Sequence, residues 1–202
     1  MAIKAANDKS MSNITALPSG VSAKSMILLS TFTSDGSDDT ATFASSIDST
    51  YKEYVFKYID IHPQTKSNFQ VGFRDGSTAY DATKTTTFFT AHHAEDDSPA
   101  SLSYSTGNDL AQSTGFHSIV FEANTDNDNS VSGILHLYDP SSTTFIKHFF
   151  SVCNSASDDG GDLSVNAYTA GYCNVTAAID GVQFKFASGQ IQGGVIKMYG
   201  VV

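Results

Sequence analysis

Apolar and polar positions along this chain alternate with a period of two. In YKEYVFKYIDIHP, Tyr54, Phe56 and Tyr58 point one way and Val55, Lys57 and Ile59 the other, until Pro63 removes a backbone donor and ends the ladder. In GVQFKFASG, Val182, Phe184 and Phe186 share a face, and Gln183 and Lys185 share its opposite. Successive side chains of a strand project to opposite sides, so this is the pattern of half-buried antiparallel β-structure. The same reading places strands near 25-33, 40-45, 51-61, 68-74, 83-92, 116-123, 131-139, 144-152, 166-174, 181-187 and 193-200, divided by the turn sequences SDGSDD, RDGSTAYD, YDPSST and SDDGGD. No segment keeps apolar residues at helical spacing for three turns, and a single turn at Ser46 to Thr50 is the most the pattern allows. Short strands at this spacing predict an all-β antiparallel β-sandwich with jelly-roll-like winding.

Residues 1-24 break the pattern, being small, polar and interrupted by Leu17-Pro-Ser-Gly20. Such a segment buries too little apolar surface to fold alone. It is either a floppy end or an extended N-terminal arm ordered by lying on a neighbouring subunit, for which Ile3, Met11, Ile14 and Leu17 would be the contacts. The expected organisation is therefore an arm over 1-24 and a sandwich domain over 25-202.

Composition narrows the partners. Charged residues are 16% of the 202, against ~25% in a typical globular domain, and Ser, Thr, Asn and Gly fill the difference. That suits sheets with hydroxyl-rich outer faces and many turns. The net charge is −10 and the eleven Lys and Arg are scattered, so nothing would neutralise a row of phosphates and nucleic acid is not an expected partner. No basic start precedes an apolar run in MAIKAANDKSMSNITALPSG, and no stretch approaches a membrane-spanning length, so neither a secretion signal nor a membrane partner is expected. Cys153 and Cys173 stand without a CxxC or a second pair, which excludes a disulfide scaffold and a thiolate zinc site. They can face each other across one hairpin, but two buried free thiols are the commoner arrangement.

Two clusters carry candidate chemistry. TDNDNSVSG, residues 125-133, sets Asp126 and Asp128 beside Asn127 and Asn129. Tested against an EF-hand, the count from Asp126 puts Val131 where Gly belongs and Leu137 where the bidentate Glu belongs, so that pattern fails. Asp126 and Asp128 remain weak metal candidates in a looser oxygen cage, and the turn of a β-hairpin explains the same residues more simply. AHHAEDD, residues 91-97, sets His92 and His93 beside Glu95, Asp96 and Asp97. Neighbours in a strand face opposite sides, so both imidazoles cannot ligate one ion unless the strand breaks between them, and no cofactor is expected. No nucleophile elbow, phosphate-cradling loop or reactive-cysteine context is present. A carboxylate pair among 21 Asp and Glu could serve a glycosidase, but Trp is absent, which weakens a sugar site built on flat rings even with nine Tyr. No catalytic residue is assigned and the protein is not expected to be an enzyme.

The phrases MILLSTFTSDGS, ATFASSIDSTYKEYVFKYIDIHP, FFTAHHAEDDSP, LHLYDPSSTTFIKHFFS and ASGQIQGGVIKMYG together resemble a family of small virion-associated proteins of tailed bacteriophages, many from marine and cyanobacterial hosts. The resemblance spans about residues 25-200 and leaves the arm outside. It implies a non-enzymatic structural protein of the virion, a capsid decoration or tail component, binding other virion proteins and expected as a homo-oligomer. It supplies no catalytic residues. The rival expectation is a glycan-binding receptor-recognition domain of a tail fibre, with Glu95 to Asp97 and Asp126 to Asn129 as the rim of the site. A secreted glycan-degrading enzyme has the weakest support, since it needs an export signal.

Overall fold

The computed structural model describes residues 25-98, 100-157 and 162-202; the arm contacts Ile3, Met11, Ile14 and Leu17 lie outside the described residues. Twelve strands form, β1 (Met26–Thr33), β2 (Ala41–Phe43), β3 (Glu53–Pro63), β4 (Ser67–Arg74), β5 (Lys84–Ala94), β6 (Ala100–Tyr104), β7 (His117–Ala123), β8 (Val131–Tyr138), β9 (Lys147–Ser157), β10 (Leu163–Cys173), β11 (Gly181–Phe186) and β12 (Ile191–Val201). They pair antiparallel in an eight-stranded sheet of order β1-β12-β3-β8-β9-β10-β5-β6 and a four-stranded sheet of order β2-β11-β4-β7.

The two sheets meet across an aromatic core supplied by the alternation. From β3, the inward Tyr54, Phe56 and Tyr58 are fully buried, as are Phe69 and Phe73 of β4 and Phe184 of β11. Ring contacts bridge the layers: Phe43–Phe56 at 5.4 Å, Phe56–Phe184 at 5.6 Å, Tyr58–Phe69 at 5.7 Å and Phe73–Phe149 at 4.7 Å between centroids. Burying each of these side chains contributes on the order of 1.5–3 kcal/mol. Within the large sheet Tyr58 lies across Gly133 and its hydroxyl meets Ser151 Oγ at 2.6 Å. A Cβ at Gly133 would stand 2.7 Å from Tyr58 Cε2 and 2.5 Å from Cys153 Cβ, so this crossing requires glycine.

At one end of the core, Lys84, Cys173 and Lys147 sit opposite one another on β5, β10 and β9, all facing inward. Both lysines are fully buried, and backbone carbonyls take their ammonium protons: Lys84 Nζ donates to Gly115 O at 2.7 Å, Lys147 Nζ to Val175 O at 2.8 Å and to Ala177 O at 2.5 Å. A buried charge without such partners would be very costly; here each lysine pins a loop across the open end of the sandwich. Burial lowers both lysine pKa values from the ordinary range.

Two expectations need correction. The segment after Pro99, where no strand was expected, forms β6, which pairs with β5 from Phe89↔Tyr104 to His93↔Ala100. All five of its residues are exposed, so it lacks the one-sided burial that makes alternation visible. Ser46 to Thr50, where at most a single turn was allowed, is a turn without helix, organised by Asp48 Oδ1 accepting from Thr50 N at 2.8 Å. TDNDNSVSG is not a hairpin turn: β7 before it pairs with β4 in the small sheet, β8 after it pairs with β3 and β9 in the large one, and the loop crosses between layers.

Both cysteines are free and buried. Cys153 stands opposite Ala167 and Cys173 six positions further along β10, about 20 Å away at strand rise, far beyond disulfide reach. Burial pushes both thiols up to about 12. Neither should react with a disulfide reagent such as Ellman's in the native protein at pH 8, and both should react on adding denaturant. A stoichiometric native reaction would show that this end of the sandwich opens readily.

Candidate functional site

The large sheet is wider than the small one. β7, the edge of the small sheet, lies against β9, where Cys153 Sγ contacts Ile119 O at 3.2 Å, so β5 and β6 extend beyond the covered part. The segment after β6 turns back along the first half of β5, with Lys84 and Ser113 exchanging backbone bonds and Thr86 N donating to Leu110 O at 2.8 Å. The second half of β5 stays open. What results is a groove of about 760 Å³ between the inner faces of β5, β6 and β10 and the edge of β7. That is within the size range of small-ligand sites.

Its apolar walls are Phe88, Phe121, Leu163 and Val165, and Tyr104, the cross-strand partner of the outward Phe89, borders it. Phe121 is 37% exposed, so its face is available to a ligand. Tyr104 is held in place by its hydroxyl, which donates to Asp109 Oδ2 at 2.6 Å and whose pKa that carboxylate raises. The polar lining includes Thr90, His92, Ser103 and Asn108. Asn108 is fixed by a chain of bonds, Asn68 Nδ2 to Asn108 Oδ1 at 2.9 Å and Asn108 Nδ2 to Ser105 Oγ at 2.9 Å. The edge of β7 is shaped by Asn68 as well, whose Oδ1 accepts from Glu122 N at 3.0 Å where Glu122 takes a left-handed φ of 45°.

Ser157 and Leu163 also line a second, smaller pocket of about 250 Å³ at the end of the groove, with Glu95, Asp126, Asp128, Asn129 and Asp162. The two loops read from sequence as a rim are therefore brought together. Glu95 N donates to Asp162 O at 2.9 Å, and a turn from Asn129 N to Asp126 O at 2.9 Å sets the opposite wall. Asp96 and Asp97 do not join them. Asp96 accepts from the Ser98 hydroxyl and from Ser98 N at 3.0 Å, which together lower its pKa, and Asp97 bonds His93 Nε2 at 3.1 Å. His92 and His93 part as strand geometry requires, His92 into the groove and His93 to the far side. Among the described residues, no group of three or more His, Cys, Asp or Glu is placed to hold a metal ion, Asp126 and Asp128 included.

The outer face of the large sheet carries a second feature. Leu28, Tyr199, Val55, His136, Phe150 and Ala170 form one cross-strand row over six strands. His136 stacks on Phe150 at 4.6 Å and Phe89 on Tyr168 at 5.0 Å. His136 Nδ1 also lies 2.5 Å from Glu53 Oε1. Beside Phe150, the rings of Tyr138, His148 and Tyr172 wall a shallow dish of about 350 Å³. Neither this band nor the groove was singled out from sequence, although Phe89, Phe150 and Tyr168 at outward positions of predicted strands were a signal for the first.

Compared with known protein families, curated proteins and solved structures, the chain matches none of them.

Proposed function

We propose that this chain is a non-enzymatic structural component of a tailed-bacteriophage particle, a capsid decoration or tail-associated protein that works by contact with neighbouring virion proteins and with copies of itself. The observation that carries the reading is the aromatic band on the outer face. Phe150 at 37% and Phe89 at 39% exposure sit among Tyr138, Tyr168 and His136 on the outer face of an eight-stranded sheet. Contiguous exposed apolar surface of this kind marks protein contacts, and aromatic residues dominate the energetics of such contacts. The polar arm, with Ile3, Met11, Ile14 and Leu17, belongs to the same reading as a second tether.

The strand pairing supports the jelly-roll part of the reading. β1 pairs with β12, β2 with β11, β3 with β8 and β4 with β7, and successive pairs fall alternately in the two sheets. That is a long antiparallel ribbon wound once around the core, with the hairpins β5–β6 and β9–β10 added beside β8 to widen one sheet. The winding is shared by capsid proteins and lectins, so the surfaces decide the role.

The test is the double variant Phe150→Asp with Tyr168→Asp. Two carboxylates in the band should abolish self-association in analytical ultracentrifugation and lower occupancy in particles. The melting temperature should move little, because both side chains are partly solvated. Wild-type association and packaging by the variant would remove the outer face as the contact.

A second reading, glycan recognition within a tail fibre, is favoured by the groove, where an exposed aromatic face stands beside hydroxyl, amide and imidazole groups.

A further inference from the structure

We propose that the groove between β5, β6, β10 and the edge of β7 takes a neutral or amine-bearing oligosaccharide and excludes chains carrying uronate, sialate or sulfate. This rests on the glycan-recognition reading and adds to it a place and a charge class.

A pyranose presents a flat face of C–H groups and a rim of hydroxyls, each a donor and an acceptor. It is bound where an aromatic face meets several short polar side chains able to serve in both senses. Phe121 supplies the face, and Tyr104, preset by its bond to Asp109, borders the groove beside it. Thr90, His92 and Ser103 supply groups that can donate and accept, and none of these three side chains is engaged by another described residue. Asn108 adds an amide already oriented by Asn68 and Ser105. A site with its polar groups fixed beforehand loses less on binding.

Charge sets the selectivity. Among the described residues no Lys or Arg lines the groove or the pocket that continues it, while Glu95, Asp126, Asp128 and Asp162 crowd the far end. An anionic sugar entering would meet these carboxylates within a screening length, with no cation among the described lining residues to compensate, on a chain of net charge −10. An ammonium on the sugar would be drawn to the same end.

The experiment is an NMR titration of the full chain with four probes: a neutral gluco-oligosaccharide, a chitosan oligosaccharide, an oligogalacturonate and a sulfated galactan oligosaccharide. The first two should shift amide signals confined to β5, β6, β7 and the 105–108 loop, and the last two should leave them unmoved. Phe121→Ala, at a partly exposed position that should not disturb folding, should weaken the neutral and the amine-bearing probe alike, by about ten-fold. Asp128→Asn with Asp162→Asn should weaken the amine-bearing probe alone, several-fold. Equal or tighter binding of an anionic probe overturns the inference and leaves glycan recognition standing, and so does binding mapped to the outer aromatic face. Failure of all four probes to bind removes glycan recognition and this inference with it.

Discussion

Phe184→Ala should cost about 3–5 kcal/mol, a large part of the ~5–15 kcal/mol that holds a domain folded. Phe184 is fully buried, and its ring lies 5.6 Å from Phe56, 5.8 Å from Phe69, 6.2 Å from Phe43 and 6.3 Å from Tyr58. Those four rings belong to three different strands in two layers, which cannot all move into one vacated volume, so a cavity would remain. The measurement is the urea midpoint, with melting temperature falling on the order of 10 °C. Phe145→Ala is the control: that ring is 70% exposed and its removal should change stability by less than about 0.5 kcal/mol. A loss below about 1 kcal/mol for Phe184→Ala would mean that the two sheets are not fastened by this cluster.

The second large effect is with acid. His117 is fully buried, and desolvation, with the Lys84 charge adding to it, lowers its pKa from 6.5 to about 3. Its Nδ1 lies 3.1 Å from Thr86 Oγ1, which already accepts from Leu110 N at 2.8 Å, while Nε2 has no partner among the described residues. The tautomer with the proton on Nε2 lets the Thr86 hydroxyl donate to Nδ1. A second proton would break that bond and place a cation beside an ammonium. Above pH 6.5 neither folded nor unfolded chain protonates this ring and it adds no pH dependence. Between 6.5 and about 3 the unfolded chain takes the proton and the folded one does not, so stability falls as pH falls. The full loss approaches roughly 5 kcal/mol, with more than half of it present by about pH 4.5. Urea denaturation at pH 7.5, 6, 5 and 4 should show this slope in the wild type and a flatter one in His117→Phe, which loses the Thr86 bond at every pH. Equal slopes in both proteins would mean that the acid sensitivity arises elsewhere, for instance at Asp35 and Asp48, whose carboxylates accept bonds that protonation would break.

Alternation revealed the strands whose two sides differ. β3 and β11 were legible because Tyr54, Phe56, Val182 and Phe184 face the core and Lys57, Gln183 and Lys185 do not. It failed where burial and chemistry part company. β9 was expected to end near 152, yet it runs to Ser157 with Ser155 and Ser157 as buried inward residues, so the inner face stops looking apolar before it stops being inner. Lys84 and Lys147 mislead in the same way, since only the carbonyls of distant loops make their burial tolerable. Sheet membership was not legible at all. TDNDNSVSG has the composition of a hairpin turn, and what makes it a crossover is that the ladders of β7 and β8 close on different partners far away in sequence. The groove was invisible for a related reason. Its walls come from Asn68, Phe88, Phe121 and Val165, which become neighbours only when one sheet overhangs the other. The acidic loops stood out in the sequence because loops crowded with carboxylates and amides announce themselves locally, though which of their carboxylates converge, Glu95 and not Asp96 or Asp97, is set by the fold.

The placement of the last two strands governs how the chain can be made. β11 lies between β2 and β4, and β12 between β1 and β3, so each joins an edge strand to the rest of its sheet. Until both have left the ribosome, the nascent chain holds four strands with bare edges and no partner to join them. Closure therefore waits for strands made long after the ones they join. A premature stop before Gly181 would leave β1 and β2 without ladder partners and the edges of β3 and β4 open and sticky, a product for proteases and chaperones.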